Sequence, residues 1–322
     1  MKAIVQNQYG SPDELELKEV TKPKPMSNEV LVKVRAASLN FGDFVLLKGK
    51  PYLSRLAFGL FKPNHNIPGG DVAGQVEAVG EDVQKFHPGD EVFGDLSHFS
   101  WGAFAEYVAV NEKALALKPA NLSFEEAAAV PMAATTALQG LRDKGNIEYR
   151  KKVLINGASG GVGTFAVQIA KAYGAEVTGV CSTRNLNILK SLGADHMIDY
   201  TVKNFTKESN KYDLIVAVNG YHPILAYKRS LKPNGIYVMI GGSGSQMAQA
   251  IVLGPWISMT SKKKMVNLLQ KPDQQDLIFI KKFIEEGKLK PIIDRNFTLD
   301  ELPEAFKYFE KGNAQGKVVV TI

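Results

Sequence analysis

A glycine-rich turn between an apolar strand and a helix is the feature that most constrains how this chain folds. Residues 152–163 read Lys-Val-Leu-Ile-Asn-Gly-Ala-Ser-Gly-Gly-Val-Gly, and an apolar segment suited to a helix follows as far as Tyr173. Glycines let a backbone approach a phosphorylated ligand closely, and the helix start offers free N–H groups and the positive end of a dipole. The turn therefore predicts a pyrophosphate site at five residues: Ser159, Gly160, Gly161, Val162 and Gly163.

The order of predicted elements indicates an α/β protein of two domains. Short strands with glycine and proline turns fill the first 120 residues or so, and strands then alternate with helices, which is typical of a doubly wound parallel sheet. After about residue 262 the alternation is expected to stop and the tail to return to the first domain. We therefore predict a β-domain at 1–121 with 262–322, a Rossmann domain at 122–261, and a ligand cleft between them.

Composition excludes several classes of function. The net charge is +6, but apart from Lys262–Lys264 the basic residues are scattered among acids, so we expect no nucleic-acid partner. A single cysteine, Cys181, excludes an intramolecular disulfide and a multi-cysteine metal cage. Because the beginning of the sequence also has no export signal, we expect a cytoplasmic protein.

The residues after the second Rossmann strand favour NADPH as the cofactor. NAD sites carry an acid roughly 20 residues after the glycine turn, where it accepts a hydrogen bond from the ribose. Here the strand ends in Cys181 and is followed by Ser182 and Arg184, which can bind a 2′-phosphate. Tyr200, after the next strand, could flank the same phosphate. The alternative is that Arg184 is an ordinary solvated arginine.

The glycine turn also matches the nucleophile elbow of serine hydrolases. Gly157 to Gly161 have the spacing G-x-S-x-G around Ser159. Such an enzyme needs an acid and a histidine downstream and an oxyanion loop upstream. His196 and His222 are present but no such loop is, so the phosphate-binding interpretation of Ser159 is favoured.

Five segments together resemble the quinone oxidoreductase branch of the medium-chain dehydrogenase/reductase superfamily, and in particular its reticulon-4-interacting-protein and chloroplast-envelope group. They lie at residues 37–43, 68–74, 88–92, 156–163 and 316–319, and the similarity covers essentially the whole chain. The resemblance implies a GroES-like β-domain plus a Rossmann domain, with the nicotinamide in the cleft. A homodimer built on the Rossmann edge near Gln249–Met259 is also implied.

Alignment to the superfamily's motifs predicts an enzyme without zinc. The positions of the three catalytic zinc ligands hold Asn40, Gly70 and Met132, none of which is a suitable ligand. The hypothesis is that NADPH reduces a quinone or a conjugated enone, a small hydrophobic electrophile, with hydrogen bonds stabilising the oxyanion. A non-catalytic nucleotide-binding protein on the same fold is the alternative.

The resemblance also suggests roles for individual side chains. Asn40 is the first candidate for the oxyanion donor, although it could equally cap a turn, and Asp43 is expected to order the same loop. Tyr52 is either a phenolic proton donor or an exposed loop aromatic. Predicted to line the cofactor path are Thr136, Asn219, Gly241 and Gly242, with Lys317 closing the cleft from the tail.

One apolar segment, Pro51–Phe61, departs from the simpler members of the family. It could be a lid over a bulky substrate or a contact with a membrane surface. A plain packing loop is favoured over the membrane contact.

Overall fold

The chain folds as two units, and the computed structural model describes all residues from 1 to 322. Unit 1 comprises Met1–Thr135, Lys271–Gly287 and Pro291–Ile322, and unit 2 comprises Thr136–Gln270 and Lys288–Lys290. The predicted boundaries at residues 121 and 262 differ from these edges. The first boundary lies later because a short helix at residues 124–128 packs against the sheet of unit 1.

The chain contains fifteen strands and ten α-helices. The strands are β1 (Lys2–Gln6), β2 (Leu15–Glu19), β3 (Glu29–Ser38), β4 (Asp71–Val79), β5 (Glu91–Asp95), β6 (Tyr107–Asn111), β7 (Leu115–Leu117), β8 (Lys152–Asn156), β9 (Glu176–Cys181), β10 (His196–Asp199), β11 (Tyr212–Ala217), β12 (Leu231–Met239), β13 (Lys264–Asn267), β14 (Ile293–Thr298) and β15 (Lys317–Thr321). The helices are α1 (Phe41–Lys48), α2 (Arg55–Phe58), α3 (Phe124–Ala128), α4 (Pro131–Gln139), α5 (Gly161–Ala172), α6 (Leu186–Ser191), α7 (Ile224–Ser230), α8 (Gly244–Thr260), α9 (Gln274–Glu285) and α10 (Leu302–Glu310).

Unit 1 is built on a seven-stranded sheet in the order β14-β15-β3-β4-β5-β7, with β6 also paired to β3. The long strand β3 forms its centre: buried Val32, Val34 and Ala36 alternate with exposed Lys33 and Arg35, so that one face of this stretch is buried. The prediction that the tail returns to this domain is confirmed, since β15 pairs antiparallel with β3.

Unit 2 is a six-stranded parallel sheet in the order β10-β9-β8-β11-β12-β13. From β8 the chain first adds β9 and β10 on one side and then β11, β12 and β13 on the other. This reversal of strand order is typical of a doubly wound fold and confirms the predicted fold class. Apolar residues of β8 and β9 are buried on both faces because helices cover a parallel sheet on each side. All the loops at the carboxyl ends of these strands therefore lie along one edge of the sheet.

Two elements near residue 262 correct the prediction that the alternation stops there. Lys264–Asn267 forms the sixth strand, parallel to β12, and α8 precedes it. The strand was missed because it has only four residues, with a polar residue at each end. The helix was missed because Gly254 and Pro255 interrupt its sequence.

None of the helices combines the length and the apolar character that crossing a membrane requires.

Candidate active site

A buried polar cluster in unit 1 gathers residues that are far apart in the sequence. The register of the sheet places Ser38 of β3 opposite Asp71 of β4 on one side and Val319 of β15 on the other. Lys317, at the start of β15, therefore reaches the end of β3, where Asn40 follows. Asp71 is fully buried, and Lys317 and Asn40 are only 3% and 7% exposed.

The cluster is held by an ion pair and by the Asn40 amide. Lys317 Nζ lies 3.2 Å from Asp71 Oδ2 and donates to Asn40 Oδ1 at 2.5 Å and to the carbonyl of Leu39 at 3.1 Å. Asn40 Nδ2 donates to Asp71 Oδ2 at 2.8 Å and to the Ser38 carbonyl at 3.4 Å. All three Lys317 donors and both Asn40 amide hydrogens thus have partners inside unit 1.

Asp71 completes the cluster with its remaining contacts. Its Oδ2 also accepts from Ser38 Oγ at 2.9 Å, and its Oδ1 accepts from the backbone N–H of Met132 at 2.9 Å. A buried carboxylate is tolerated when hydrogen bonds and an opposite charge compensate for the lost water. Asp71 was not among the site residues predicted from the sequence. The available signal was a charged residue opening an apolar strand, in both Asp71-Val-Ala and Lys317-Val-Val-Val.

Asp43 lies next to this cluster and fixes the backbone around it. Its Oδ2 accepts from the N–H of Asn40 at 2.7 Å and its Oδ1 accepts from the N–H of Gly70 at 3.0 Å. Burial, opposed by the Asn40 N–H and supported by the charge of Asp71, raises the pKa of Asp43 to about 7, although Lys317 and the Gly70 N–H also lower it. Asp43 therefore orders the start of α1, as predicted, and holds it against the loop before β4.

The raised pKa of Asp43 predicts a pH dependence of stability. A carboxyl group whose pKa is higher in the folded chain than its ordinary 3.8 binds its proton more tightly when folded. Its contribution is complete below the unfolded pKa and is lost as the pH rises through the folded pKa of about 7. The free energy of unfolding of the parent should therefore fall between about pH 4 and about pH 7 relative to that of Asp43→Asn.

Urea titrations of both proteins across that range measure the difference. Because Asn40 and Gly70 each donate to Asp43, the asparagine variant is expected to be less stable at every pH, and only the slope with pH matters. Parallel curves for the two proteins would show that Asp43 does not titrate in this window.

The three positions that align with the zinc ligands of the superfamily hold Asn40, Gly70 and Met132, and the last two of these pack closely together. A Cβ built at Gly70 would lie 3.0 Å from Met132 Cε and 3.4 Å from the Trp101 ring. Trp101 is buried, has a positive φ of 54°, and contacts the edge of the Phe58 ring, with centroids 5.8 Å apart. Nowhere in the chain do three or more His, Cys, Asp or Glu side chains form a group that could hold a metal. These residues do not fit a catalytic zinc, which needs three such donors.

Tyr52 is not brought to the buried cluster. It lies in a 3-10 turn at Tyr52–Ser54 with 67% of its surface exposed, and Arg55 stacks on its ring at 5.0 Å. The structure therefore places it as an exposed loop aromatic. Its role as a proton donor stays a prediction, as does the oxyanion role of Asn40, which requires one amide hydrogen to leave its present acceptor.

In unit 2 the glycine turn has the geometry of a phosphate cradle. Gly157 has φ of +82° and sits against Asn219, whose backbone N would be 2.8 Å from an added Cβ. A Cβ at Gly163 would lie 2.2 Å from the carbonyl oxygen of Gly157, so the close approach of α5 to the turn requires glycine there. No side chain caps α5, so the N–H groups of Gly161 and Val162 have no partner in the helix.

Gly160 differs from these two glycines. Its φ of −83° and ψ of 177° suit any residue. An added Cβ would meet nothing nearer than the Gly157 carbonyl at 3.8 Å. Neither backbone conformation nor packing within the chain therefore accounts for a glycine at the entrance to the uncapped helix.

The predicted 2′-phosphate residues lie at the same edge of the sheet. Ser182 and Arg184 follow β9, and Tyr200 follows β10, with its N–H donating to the Cys181 carbonyl at 3.0 Å. Arg184 and Tyr200 are exposed. Asn185, which the sequence analysis missed, donates from Nδ2 to Ser159 Oγ at 2.8 Å and so ties the two turns together.

The remaining predicted cofactor residues lie after β11 and β12 and on α4. A Cβ at Gly241 would be 2.6 Å from the Val218 carbonyl, and one at Gly242 would be 3.1 Å from the Gly220 carbonyl, so these two loops pack closely. Asn219 follows β11 beside Gly157, and Thr136 of α4 is buried. Five loops of unit 2, each after one parallel strand, thus hold the predicted cofactor residues other than Thr136 of α4 and Lys317 of unit 1.

The arrangement around Ser159 does not support a hydrolase. Ser159 Oγ is bonded to Asn185, whereas a nucleophile would bond to a histidine. His196 pairs with Glu176 at 3.1 Å, and the His222 ring packs on Phe205. Neither histidine contacts Ser159, so the hydrolase alternative is set aside.

Comparison with known proteins finds similarity over the whole chain. Residues 26–120 match the alcohol dehydrogenase GroES-like domain, and residues 192–320 match a zinc-binding dehydrogenase family. A 2-methylene-furan-3-one reductase from Solanum lycopersicum is 39% identical, covering 99% of this chain and 79% of that protein. A chloroplast envelope quinone oxidoreductase homolog from Arabidopsis thaliana is 36% identical, covering 99% and 98%. The solved quinone oxidoreductase of Coxiella burnetii superposes with a TM-score of 0.88 at 32% identity, covering 100% of this chain and 99% of that one.

Proposed function

This chain belongs to the quinone oxidoreductase branch of the medium-chain dehydrogenase/reductase superfamily, and from that premise we propose that it is an NADPH-dependent reductase of quinones or conjugated enones. Related proteins are named as a furanone reductase, quinone oxidoreductases and an NADPH-dependent alkenal/one oxidoreductase. All of these names describe oxidoreductases, and two of the relatives are named as using NADPH or NAD(P)H. The proposal adds the choice of NADPH and a reaction without zinc.

The observation that carries the proposal is Gly160 at the mouth of the uncapped helix α5. Because nothing within the chain requires glycine there, a ligand that approaches the backbone closely is the physical reason for it. The free N–H groups that follow supply hydrogen bonds and a partial positive charge for a pyrophosphate. Ser159, fixed by Asn185, can add a hydroxyl donor.

The bound nicotinamide supplies a hydride, and the residues of the chain bind and orient the reactants. In unit 2 the turn after β8 holds the pyrophosphate, while Asn219 and the glycines after β12 shape the neighbouring loops. In unit 1 the Lys317–Asp71 pair orients Asn40, and Asp43 fixes its backbone. Since Asn40, Gly70 and Met132 offer no metal site, stabilisation of the oxyanion falls to hydrogen-bond donors.

The choice of NADPH rests on Arg184 and the absence of an acid directly after β9. A guanidinium binds a phosphate by charge-assisted hydrogen bonds. Asp199, at the end of β10, is engaged by Thr183 and Thr201, whose hydroxyls hold the pKa of that carboxyl below its usual range. The carboxylate of Asp199 thus already accepts hydrogen bonds from two neighbouring threonines at this edge of the sheet.

Replacing Arg184 with alanine should weaken NADPH binding by at least about tenfold and NADH binding little, because one charge-assisted bond is worth about 1.5–3 kcal/mol. Fluorescence titration with each reduced cofactor measures both constants. Lys190→Ala is the matched control, since it removes an exposed cation of the same unit outside this edge. Equal losses for the two cofactors would contradict a 2′-phosphate contact.

NADPH oxidation against a panel of quinones and enones, with and without a chelator, tests the activity. We expect turnover that the chelator does not change. Binding of NADPH without oxidation by any acceptor would instead favour the non-catalytic alternative. The homodimer near Gln249–Met259 and the cytoplasmic location stay predictions.

A further inference from the structure

The loop between α1 and β4 exposes an unusual number of large apolar side chains. Within residues 50–62, here called the basic apolar loop, Leu56 is 77% exposed and Phe61 is 88% exposed. Tyr52, Leu53 and Leu60 are 67%, 78% and 58% exposed. These values rule out the packing loop that the sequence analysis favoured, because the apolar side chains do not face a core.

The loop is nevertheless fixed to unit 1 from beneath. Phe58 contacts the buried Trp101, and the Tyr9 hydroxyl donates to the Gly59 carbonyl at 2.6 Å. Arg55 donates from Nε to the Gly49 carbonyl at 3.0 Å, and its guanidinium stacks on the Tyr9 ring at 4.5 Å. The backbone that carries the exposed side chains is therefore anchored to unit 1 by these contacts.

The charges of the loop are all of one sign. Between Asp43 and Asp71 the sequence contains no Asp or Glu but four cations, Lys48, Lys50, Arg55 and Lys62. Lys48 is paired with Glu310. Lys50 and Lys62 are exposed and make no ion pair, and Arg55 bonds to a carbonyl instead. The loop thus combines unpaired cations with exposed leucine and phenylalanine.

We propose that the basic apolar loop binds the surface of an anionic lipid bilayer. Leucine and phenylalanine gain free energy by entering the boundary between headgroups and acyl chains, and lysines are attracted to anionic headgroups. A second copy of the same loop fits less well, because its cations repel those of the first. This proposal does not depend on the reductase activity, since the loop and the cluster around Asp71 share no hydrogen bond.

Flotation of the full chain with vesicles tests the proposal. We expect the protein to float with vesicles of phosphatidylglycerol and phosphatidylcholine, and less with phosphatidylcholine alone or at high salt. Leu56→Ser with Phe61→Ser should lower vesicle affinity at least about tenfold. Lys50→Gln and Lys62→Gln should each lower it about fivefold, and only for the anionic vesicles.

The matched controls change equally exposed residues outside the loop. Leu269→Ser removes a side chain that is 78% exposed, and Lys24→Gln removes an exposed lysine. Both controls should bind vesicles like the parent. The proposal is overturned if the parent does not float, or if the loop variants float like the controls. It is also overturned if gel filtration without lipid shows that the loop variants dissociate an oligomer, because the occupant is then another copy of this chain.

Discussion

Replacing Lys317 with alanine is expected to destabilise unit 1 by about 3–5 kcal/mol, the cost of leaving a buried charge without its partner. Asp71 is fully buried, so it cannot recover water in exchange for the lost ammonium group. Asn40 Oδ1 and the Leu39 carbonyl lose a donor in the same substitution. Urea denaturation of the parent and the variant measures the loss.

A double variant separates the charge from the packing. Lys317→Met with Asp71→Asn removes both charges while keeping similar side-chain volumes, so it should be more stable than Lys317→Ala. The single variant Lys317→Met should resemble the alanine variant because the carboxylate stays buried and unpaired. A loss below about 1 kcal/mol in Lys317→Ala would mean that water replaces the ammonium group, contrary to the closed cluster described here.

Gly160→Val is expected to weaken NADPH binding by at least about a hundredfold, or about 2.7 kcal/mol, and to leave the fold intact. The backbone at Gly160 has an extended conformation that valine adopts readily. Its Cβ would lie no nearer than 3.8 Å to any atom of the chain, and the side chain should occupy the space that a pyrophosphate needs against the N–H groups of α5. Thermal unfolding without cofactor and fluorescence titration with NADPH measure the two effects separately.

Gly163→Ala gives the contrasting result. Its Cβ would lie 2.2 Å from the Gly157 carbonyl, so α5 has to shift and both stability and cofactor binding should fall. If Gly160→Val binds NADPH as the parent does, the proposed cofactor site is wrong. If it unfolds like Gly163→Ala, the glycine serves the fold instead.

Much of the fold followed from short-range signals in the sequence. The glycine turn, the apolar strands and the spacing of turns were enough to predict the folds of both domains and most of their strands and helices. β13 and α8 were missed because an edge strand of only four residues and a helix containing Gly254 and Pro255 lack those signals. Their structure depends on pairing with β12 and on packing, which no local pattern encodes.

The candidate site could be predicted where one motif carries it and not where distant segments meet. The residues of the turn after β8 needed only local sequence. The contacts of Asn40 with Asp71 and Lys317 depend on the register of three strands, so the sequence suggested Asn40 and Lys317 separately and gave no role to Asp71. Exposure of Tyr52 likewise depends on how a loop is anchored by Trp101 and Tyr9.

The insertion of unit 2 into unit 1 affects the order in which the chain can mature on the ribosome. The sheet of unit 2 is contained in residues 152–267, so it can assemble as soon as that stretch has emerged from the exit tunnel. Asp71 emerges from the tunnel before any strand of unit 2. Its ion-pair partner, Lys317, is translated after all of those strands. Unit 1 therefore cannot form the Lys317–Asp71 ion pair, or complete its sheet, until β15 has been translated.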